Sequence, residues 1–444
     1  MNLVDDIDGD GMDDLFELSH GLDAINADDA SFDLDGDGVS NLQEAQLGTS
    51  VAVSDSDFDG IADGDELQFP CLDAQTQEDA NSDPDGDSVD SRLELLFGRN
   101  PCVADTGIGA TSTYYVSVDG NNASDGSIGG PFATIQYGVD VASSNGGGTV
   151  IVGPGTYVDI DPNIVGYGTD QVLFIKDGVY VQGYSSQFTL INSVVFFLQA
   201  DGSALENVTV NSPAQAGLNI WSSENVLLKS VKVDGSDQQN VYVSNSTNIV
   251  LDHVELLSSV SHVGLHMIAS SEVSLLESTV SGNYLGGIFV VDSSILTMFN
   301  SRVTSNRSGG YGGIYGSIDS KIRLFSSIIE NNTGPGIEIQ FPNNLLYVEN
   351  SVVTGNDEGI RLTGQGGELH ILHSIIAYNN NIGVNNMTGT EEDLLLMNSI
   401  LWSNTDDLLG VASNQVYSCD ISDGTYAGLH GNINQDPLWI CGKQ

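Results

Sequence analysis

Between about residues 114 and 404, apolar and polar side chains alternate in short runs that recur at a near-constant interval. Ser278-Thr279-Val280 leads to Asn283, Ser301-Arg302-Val303 to Asn306, and Ser327-Ile328-Ile329 to Asn332. Ser351-Val352-Val353, Ser374-Ile375-Ile376 and Ser399-Ile400-Leu401 lead in the same way to Asn356, Asn379 and Asn404. The steps are 23, 26, 24, 23 and 25 residues, and Val254-Glu255-Leu256, Val231-Lys232-Val233 and Val208-Thr209-Val210 extend the series backwards. A second alternating run follows each repeat, among them Gly217-Leu218-Asn219-Ile220, Gly264-Leu265-His266-Met267, Gly287-Ile288-Phe289-Val290 and Gly336-Ile337-Glu338-Ile339. Period-two alternation predicts strands with one side chain in and the next out. Two or three such strands in each interval, stacked in register, predict an all-β parallel solenoid of about twelve turns.

Stacking carries consequences for each column. Asn283, Asn306, Asn332, Asn356, Asn379 and Asn404 are expected to form an internal ladder of amides, a structural role. The outward members of the second run read Asn219, Tyr242, His266, Phe289, Tyr315, Glu338 and Arg361. Aromatic and polar side chains spaced in this way suit a sugar chain, since ring faces cover C–H surfaces and polar groups fix hydroxyls. The plainer reading is an exposed β-face held together by cross-strand stacking. The outward members of the first run begin polar and end in Ile328, Val352, Ile375 and Ile400. Such a stripe should not face water, so cover by residues 405–444 or by a second subunit is expected.

The first hundred residues follow another pattern. Asp6, Asp8, Asp10, Gly11 and Glu17 fit D-x-D-x-D-G-x5-E, as do Asp33, Asp35, Asp37, Gly38 and Glu44, and Asp55, Asp57, Asp59, Gly60 and Glu66. A fourth copy, Asp83, Asp85, Asp87 and Glu94, has Ser88 in place of the Gly. Alternate residues of such a loop point at a hard cation, the Gly permits the bend and the twelfth-position carboxylate closes the shell. The ninth position is polar throughout: Asp14, Asn41, Asp63 and Ser91. Ca²⁺ is therefore the expected cofactor, and without it the clustered charges should leave the segment largely disordered. A short amphipathic stretch follows each loop and no good helix precedes one, which argues against paired sensor EF-hands.

Composition sharpens the boundary. The chain has 444 residues, with 61 acidic and 11 basic side chains, a net charge of −50 and 52 glycines. Residues 1–100 hold 28 of the acids and only Arg92 and Arg99 as bases. That balance argues against nucleic acid, where cations must replace counterions, and against an anionic membrane surface. No run of 18 apolar residues predicts a membrane span, and no secretion signal is visible after Met1. Cys71, Cys102, Cys419 and Cys441 allow three pairings; proximity favours 71–102 and 419–441, in an oxidising, extracellular setting.

The loop segment, about residues 5–100, resembles the thrombospondin type 3 repeat of secreted bacterial proteins; dockerin modules share the loop-then-helix logic but use two evenly spaced copies. Tyr114-Tyr115-Val116-Ser117-Val118-Asp119-Gly120-Asn121, Pro131-Phe132-Ala133-Thr134-Ile135-Gln136 and Thr149-Val150-Ile151-Val152-Gly153-Pro154-Gly155-Thr156-Tyr157 resemble the N-terminal cap of the pectin-lyase-like right-handed parallel β-helix superfamily. That resemblance implies a plugging helix near 132–144, and Asn434-Gln435-Asp436-Pro437-Leu438 resembles a closing motif of secreted bacterial β-helix proteins. The superfamily holds lyases, hydrolases, esterases, tailspikes and adhesins, so it fixes fold more than function. The expected layout is a calcium module at 1–105, a β-helix at 106–404 and a capping segment at 405–444. The expected role is a secreted, calcium-stabilised surface, adhesion or extracellular structural protein. Its expected partners are a polysaccharide or cell-surface glycan and further copies of itself, joined in a filament through the coil ends or the apolar stripe. The alternative is a polysaccharide lyase or another carbohydrate-active enzyme, with His266, Tyr242, Tyr315 and Arg361 around the cleavage point; lyases need a base and an electrophilic partner on adjacent turns.

Overall fold

The computed structural model describes residues 6–435 except 21, 23, 36, 78, 87–90, 97–99, 104–111, 160–170, 213–214, 308–310, 341–342, 364–366 and 388–393, with the side chains of 15, 18, 19, 93 and 96 also left out. The chain divides into two compact units, Met1–Ala110 and Thr111–Gln444.

In the larger unit, the described strands form three parallel sheets of 13, 12 and 11 strands. Sheet A runs from Thr113–Val116 to Val416–Tyr417, sheet B from Gly155–Tyr157 to Asp420–Ile421, and sheet C from Val172–Ile175 to Asp406–Leu409. Every pairing is between strands one coil apart, so the fold is the expected parallel β-solenoid. One left-handed residue turns the corner from sheet A to sheet B on successive coils, Asn207, Ser230, His253, Glu277, Asn300, Ser326 and Asn350 among them, with φ between 44 and 56°. The side chains there are mainly short and polar, the kind that tolerate this region.

The interior is a set of in-register apolar columns. In sheet B, Val233, Leu256, Val280, Val303, Ile329, Val353, Ile376 and Leu401 stack in sequence and none is exposed. Burial of one such side chain contributes roughly 1.5–3 kcal/mol. The first end is plugged by the helix Ile135–Ser144, inside the expected 132–144; Thr134 caps it by accepting the Tyr137 N–H, and Ile135, Val139 and Ala142 are buried.

Two ladders satisfy the polar atoms that this geometry buries. Asn283 Nδ2 donates to Asn306 Oδ1 at 2.9 Å, and the pattern repeats through Asn332, Asn356 and Asn379 to Asn404 at 3.0–3.2 Å. Each Oδ1 also accepts the preceding Asn backbone N–H, and each Nδ2 donates to a carbonyl of the coil behind. A second ladder was not foreseen. The N–H groups of Ser278, Ser301, Ser327, Ser351 and Ser374 donate to the Oγ of the serine one coil on, while each hydroxyl donates to the carbonyl two residues earlier.

The expected Cys419–Cys441 pairing involves Cys441, which lies outside the described residues; Cys419 itself is fully buried and continues the serine ladder. Register places Cys419 where the next ladder serine would stand, since Ile400 pairs with Asp420. Its Sγ donates to Tyr417 O at 3.2 Å, the same two-residue reach, and accepts the Ser399 N–H. Burial pushes the thiol up to about 11.

The C-terminal expectation changes with it. Asp406–Leu409, Val416–Tyr417 and Asp420–Ile421 each continue one of the three sheets, so 405–421 is a further coil rather than a separate cap. It does not cover the stripe: Ile328, Val352, Ile375 and Ile400 remain half-buried, each packed between its in-register neighbours. Residues 436–438 of the expected closing motif lie outside the described residues. No helix among the described residues is long and apolar enough to cross a membrane.

In the smaller unit each loop runs into a short helix: Asp14–His20, Asn41–Leu47, Asp63–Glu66 and Ser91–Leu96. Ser40 and Gln43 form a capping box and Gly48 ends that helix in the left-handed region, which suits a chain break without side-chain strain. A small core of Met12, Leu22, Ala30 and Val51, with Phe16, Leu42 and Ala45 against it, joins the first two repeats. The expected Cys71–Cys102 disulfide is present.

Candidate functional site

Two sites emerge, one in each unit. In the smaller unit, Gly11, Gly38 and Gly60 turn their loops at φ of 99, 96 and 94°, which only glycine adopts freely. The first-position carboxylates hold the loops by accepting backbone N–H groups: Asp6 from Gly9 and Gly11, Asp33 from Gly38, Asp55 from Gly60 and Asp83 from Gly86.

Carboxylates then gather in sets with oxygens within 4.8 Å of one another: Asp6, Asp8 and Asp10; Asp10, Glu17 and Asp29; Asp33, Asp35 and Asp37; Asp37, Glu44 and Asp63; Asp57, Asp59, Glu66 and Asp79. Both carboxylate oxygens of Glu17, Glu44 and Glu66 are buried without a hydrogen-bond partner, and these residues are at most 1% exposed. Burial first, and neighbouring carboxylates second, push Glu17 up to about 7, Glu44 to about 9 and Glu66 to about 10. A hard divalent cation supplies what these oxygens lack, so the donor set fits Ca²⁺. In the fourth loop Asp83, Asp85 and a buried Glu94 are described, and Asp87 lies outside the described residues.

The ninth-position side chains also hold the loops. Asp14, Asn41 and Asp63 each accept the backbone N–H of the loop's second residue, from Ile7 at 2.8 Å, Leu34 at 3.2 Å and Ser56 at 2.8 Å. Asp14 stands outside the acidic clusters and braces its loop, Asn41 braces the second loop, and Asp63, expected in the third loop's shell, joins the second loop's cluster. The fourth loop has Pro84 at its second position, with no N–H to brace, and carries Ser91 at its ninth. Asp29 and Asp79 were missed because they lie outside the twelve-residue motif. In the second and third loops the fifth-position Asp also reaches forward: Asp37 accepts the Gly64 N–H at 3.1 Å, and Asp59 accepts the Ala80 N–H at 3.0 Å. Gly64 is required there, because a Cβ would lie 2.0 Å from the Asp37 carbonyl oxygen.

The second site is the outer face of sheet C. Register aligns Phe174, Phe196, Asn219, Tyr242, His266, Phe289, Tyr315, Glu338, Arg361 and Asn385 on successive strands. The foreseen file is therefore real and extends two coils before Asn219 and one beyond Arg361. Its rings touch largely edge to face: Tyr242 to His266 at 5.3 Å between centroids, His266 to Phe289 at 5.7 Å and Phe289 to Tyr315 at 5.2 Å. Tyr311 adds a half-exposed ring 4.9 Å from both Phe289 and Tyr315. His262 lies 5.7 Å from His266. Sequence reading missed Tyr311, His262 and Glu358. The signal was their position three or four residues before a file member, at or just ahead of the start of the strand.

Beyond Tyr315 the file turns polar. Tyr315 Oη donates to Gln340 Oε1 at 2.9 Å, and Gln340 Nε2 donates to Glu338 Oε1 at 2.7 Å. Arg361 donates twice to Glu358, from Nε at 3.0 Å and Nη2 at 2.8 Å, and lies 3.5 Å from Glu338 Oε2. Asn385 Nδ2 donates to the same Glu358 Oε2 at 3.0 Å. The Arg361 hydrogen bonds hold the Glu358 carboxyl below its ordinary value. Glu338 Oε2 and Asn385 Oδ1 are buried with no hydrogen-bond donor of their own.

The expected catalytic grouping does not form. Four strand steps separate His266 from Arg361, about 19 Å at the inter-strand spacing, too far to act on one bond. Burial, with His262 beside it, pushes His266 down to about 4, so the imidazole is a neutral, weak base at neutral pH. Tyr315 is raised by burial, and its hydroxyl is already committed to Gln340.

The larger unit is a three-sheet parallel β-solenoid with a continuous file of side chains along one sheet. The family described as "Right handed beta helix region" matches residues 216–382. No curated protein matches the chain. Among solved structures, the A-module of mannuronan C-5 epimerase AlgE6 from Azotobacter vinelandii is 16% identical over 68% of this chain and 94% of its own, with a TM-score of 0.39. Pectate lyase Pel9A is 14% identical over 60% of this chain and 80% of its own, with a TM-score of 0.34. PfbA, a surface adhesin of Streptococcus pneumoniae, is 14% identical over 56% and 86%, with a TM-score of 0.30.

Proposed function

We propose that this chain is an extracellular, calcium-loaded protein that binds a polysaccharide or cell-surface glycan along the outer face of sheet C. The observation that carries the reading is the unbroken file from Phe174 to Asn385, in which ring edges and faces give way to a braced acid–base cluster. Successive file members are about 4.8 Å apart, close to the pitch of a pyranose chain, and stacked rings present the apolar surface that sugar faces favour. Calcium would be held by Asp6, Asp8, Asp10 and Glu17 with Asp29; by Asp33, Asp35, Asp37 and Glu44 with Asp63; and by Asp55, Asp57, Asp59 and Glu66 with Asp79. It would neutralise carboxylates that otherwise repel, in a module of the thrombospondin type 3 kind. The Cys71–Cys102 disulfide supports an oxidising location.

The lyase alternative has less support, because the candidate base is weakly basic and its electrophilic partner lies four coils away. Native gels cast with a panel of polysaccharides test the reading, alongside absorbance for unsaturated uronate product. Retardation by at least one polysaccharide that weakens in Tyr315→Ala supports it. Passage through every gel unretarded overturns it, and so does product formation that vanishes in His266→Ala.

A further inference from the structure

The charge on the file restricts which glycan it takes. Arg361 is the cation among the described members of the file, and it is committed to Glu358 and faces Glu338. The corner loops that lead into sheet C add Asp237 and Asp357 against Arg307. The surroundings thus carry more carboxylate than cation, on a chain whose net charge is −50. A carboxylated sugar would bring one more negative charge to Glu338 and Glu358, and like charges a few ångströms apart are costly where water is partly excluded.

A second, independent observation concerns hydrogen bonding. Glu338 is 3% exposed and Asn385 is 5% exposed. Among the described residues, Asn385 Oδ1 is buried with no donor, and Glu338 Oε2 makes no hydrogen bond and has only the Arg361 guanidinium 3.5 Å away. A buried acceptor without a donor costs free energy until one arrives. The occupant must therefore deliver O–H groups to this end of the file and an apolar ring face to Tyr311, Phe289 and Tyr315.

We infer that the ligand is a neutral hexopyranose polymer rather than a polyuronate; this rests on the glycan reading above. Its hydroxyls donate to Glu338 and Asn385, and its C–H faces lie on the Tyr311–Tyr315 pair. Gly312 makes the pair possible: it sits at φ 73°, and a Cβ there would lie 1.8 Å from the Pro335 carbonyl oxygen, so the chain passes tightly enough to set Tyr311 against the file.

The test is affinity electrophoresis of the full chain in gels holding neutral glucans or mannans and, separately, polygalacturonate or alginate, with calcium at one level throughout. The expected result is retardation by a neutral polymer and none by the polyuronates. Tyr311→Ala should weaken retardation about two- to tenfold, the range of one aromatic contact. The double variant Glu338→Gln with Glu358→Gln, checked for an unchanged melting curve, leaves Arg361 uncompensated and should gain retardation by polyuronate. Polyuronate retardation of the native chain, weakened by salt, would overturn the inference and leave glycan binding standing. Retardation by neither class would remove the glycan reading itself.

Discussion

The two units bury polar groups in opposite ways. In the β-helix, an amide or hydroxyl that enters the interior meets its copy one coil on, so Asn306 both accepts from Asn283 and donates to Asn332. The repeat supplies its own partner, and the polar interior is closed. In the smaller unit the repeat supplies more of the same charge. Glu17, Glu44 and Glu66 face other carboxylates, and their oxygens have no donor among the described residues. The difference lies in the chemistry of the side chain: an amide is donor and acceptor at once, whereas a carboxylate only accepts. A ladder of amides completes itself. A ladder of carboxylates needs a cation.

The largest effect should follow from removing the twelfth-position carboxylates. With Glu17→Gln, Glu44→Gln and Glu66→Gln combined, calcium uptake by equilibrium dialysis should fall by at least three sites, while the β-sheet circular dichroism of the coil is unchanged. Retained stoichiometry would break the contrast. Next in size is the amide ladder. Asn332→Ala leaves the Asn306 N–H and Nδ2 without their acceptor and removes a donor to the Val303 carbonyl, a cost of about 2–4 kcal/mol. Its urea midpoint should fall equally with and without chelator, since calcium plays no part in that ladder. A smaller change is expected at Cys419. Cys419→Ser keeps the ladder chemistry and should shift stability by less than about 1 kcal/mol, whereas Cys419→Val leaves the Ser399 N–H unpaired and should cost about 1–3 kcal/mol.

The smallest effect is a titration. Burial holds the folded-state value of His266 below its unfolded one. The neutral ring therefore contributes stability above about pH 6.5, the unfolded value, and that contribution is lost as pH falls through about 4. Histidine resonances followed by NMR should show His266 titrating near the lower value. Titration close to 6.5 would restore it as a candidate base.

Much of this was legible in the sequence because stacking converts spacing into contact. Once Ser-x-x and Asn recurred every 23 to 26 residues, the amide ladder and the sheet C file followed by counting. What counting missed depends on direction rather than spacing. The serine hydroxyls recur as regularly as the asparagines, but their role depends on a two-residue reach to a carbonyl that no pattern announces. The place of Cys419 in the serine register is likewise visible only when Ile400 is set beside Asp420. The ninth-position side chains looked like ligands because all four are polar. They turn instead to the N–H two residues into the loop, and Pro84, which has none, marks the exception. Asp29 and Asp79 come from beyond the motif and need the packing of one repeat on the next, as do Tyr311 and Glu358 against the file. The tail misled for a simpler reason: after Asn404 the serine and asparagine markers fade while the strands continue.

Hydrogen exchange on the full chain, before and after calcium is added to chelated protein, tests the contrast most directly. The account predicts a large gain in protection confined to the amides of residues 6–103, notably the loop N–H groups held by Asp6, Asp33 and Asp55, with the Asn283–Asn404 ladder equally protected in both states. Loop amides protected to the same degree without calcium would contradict it.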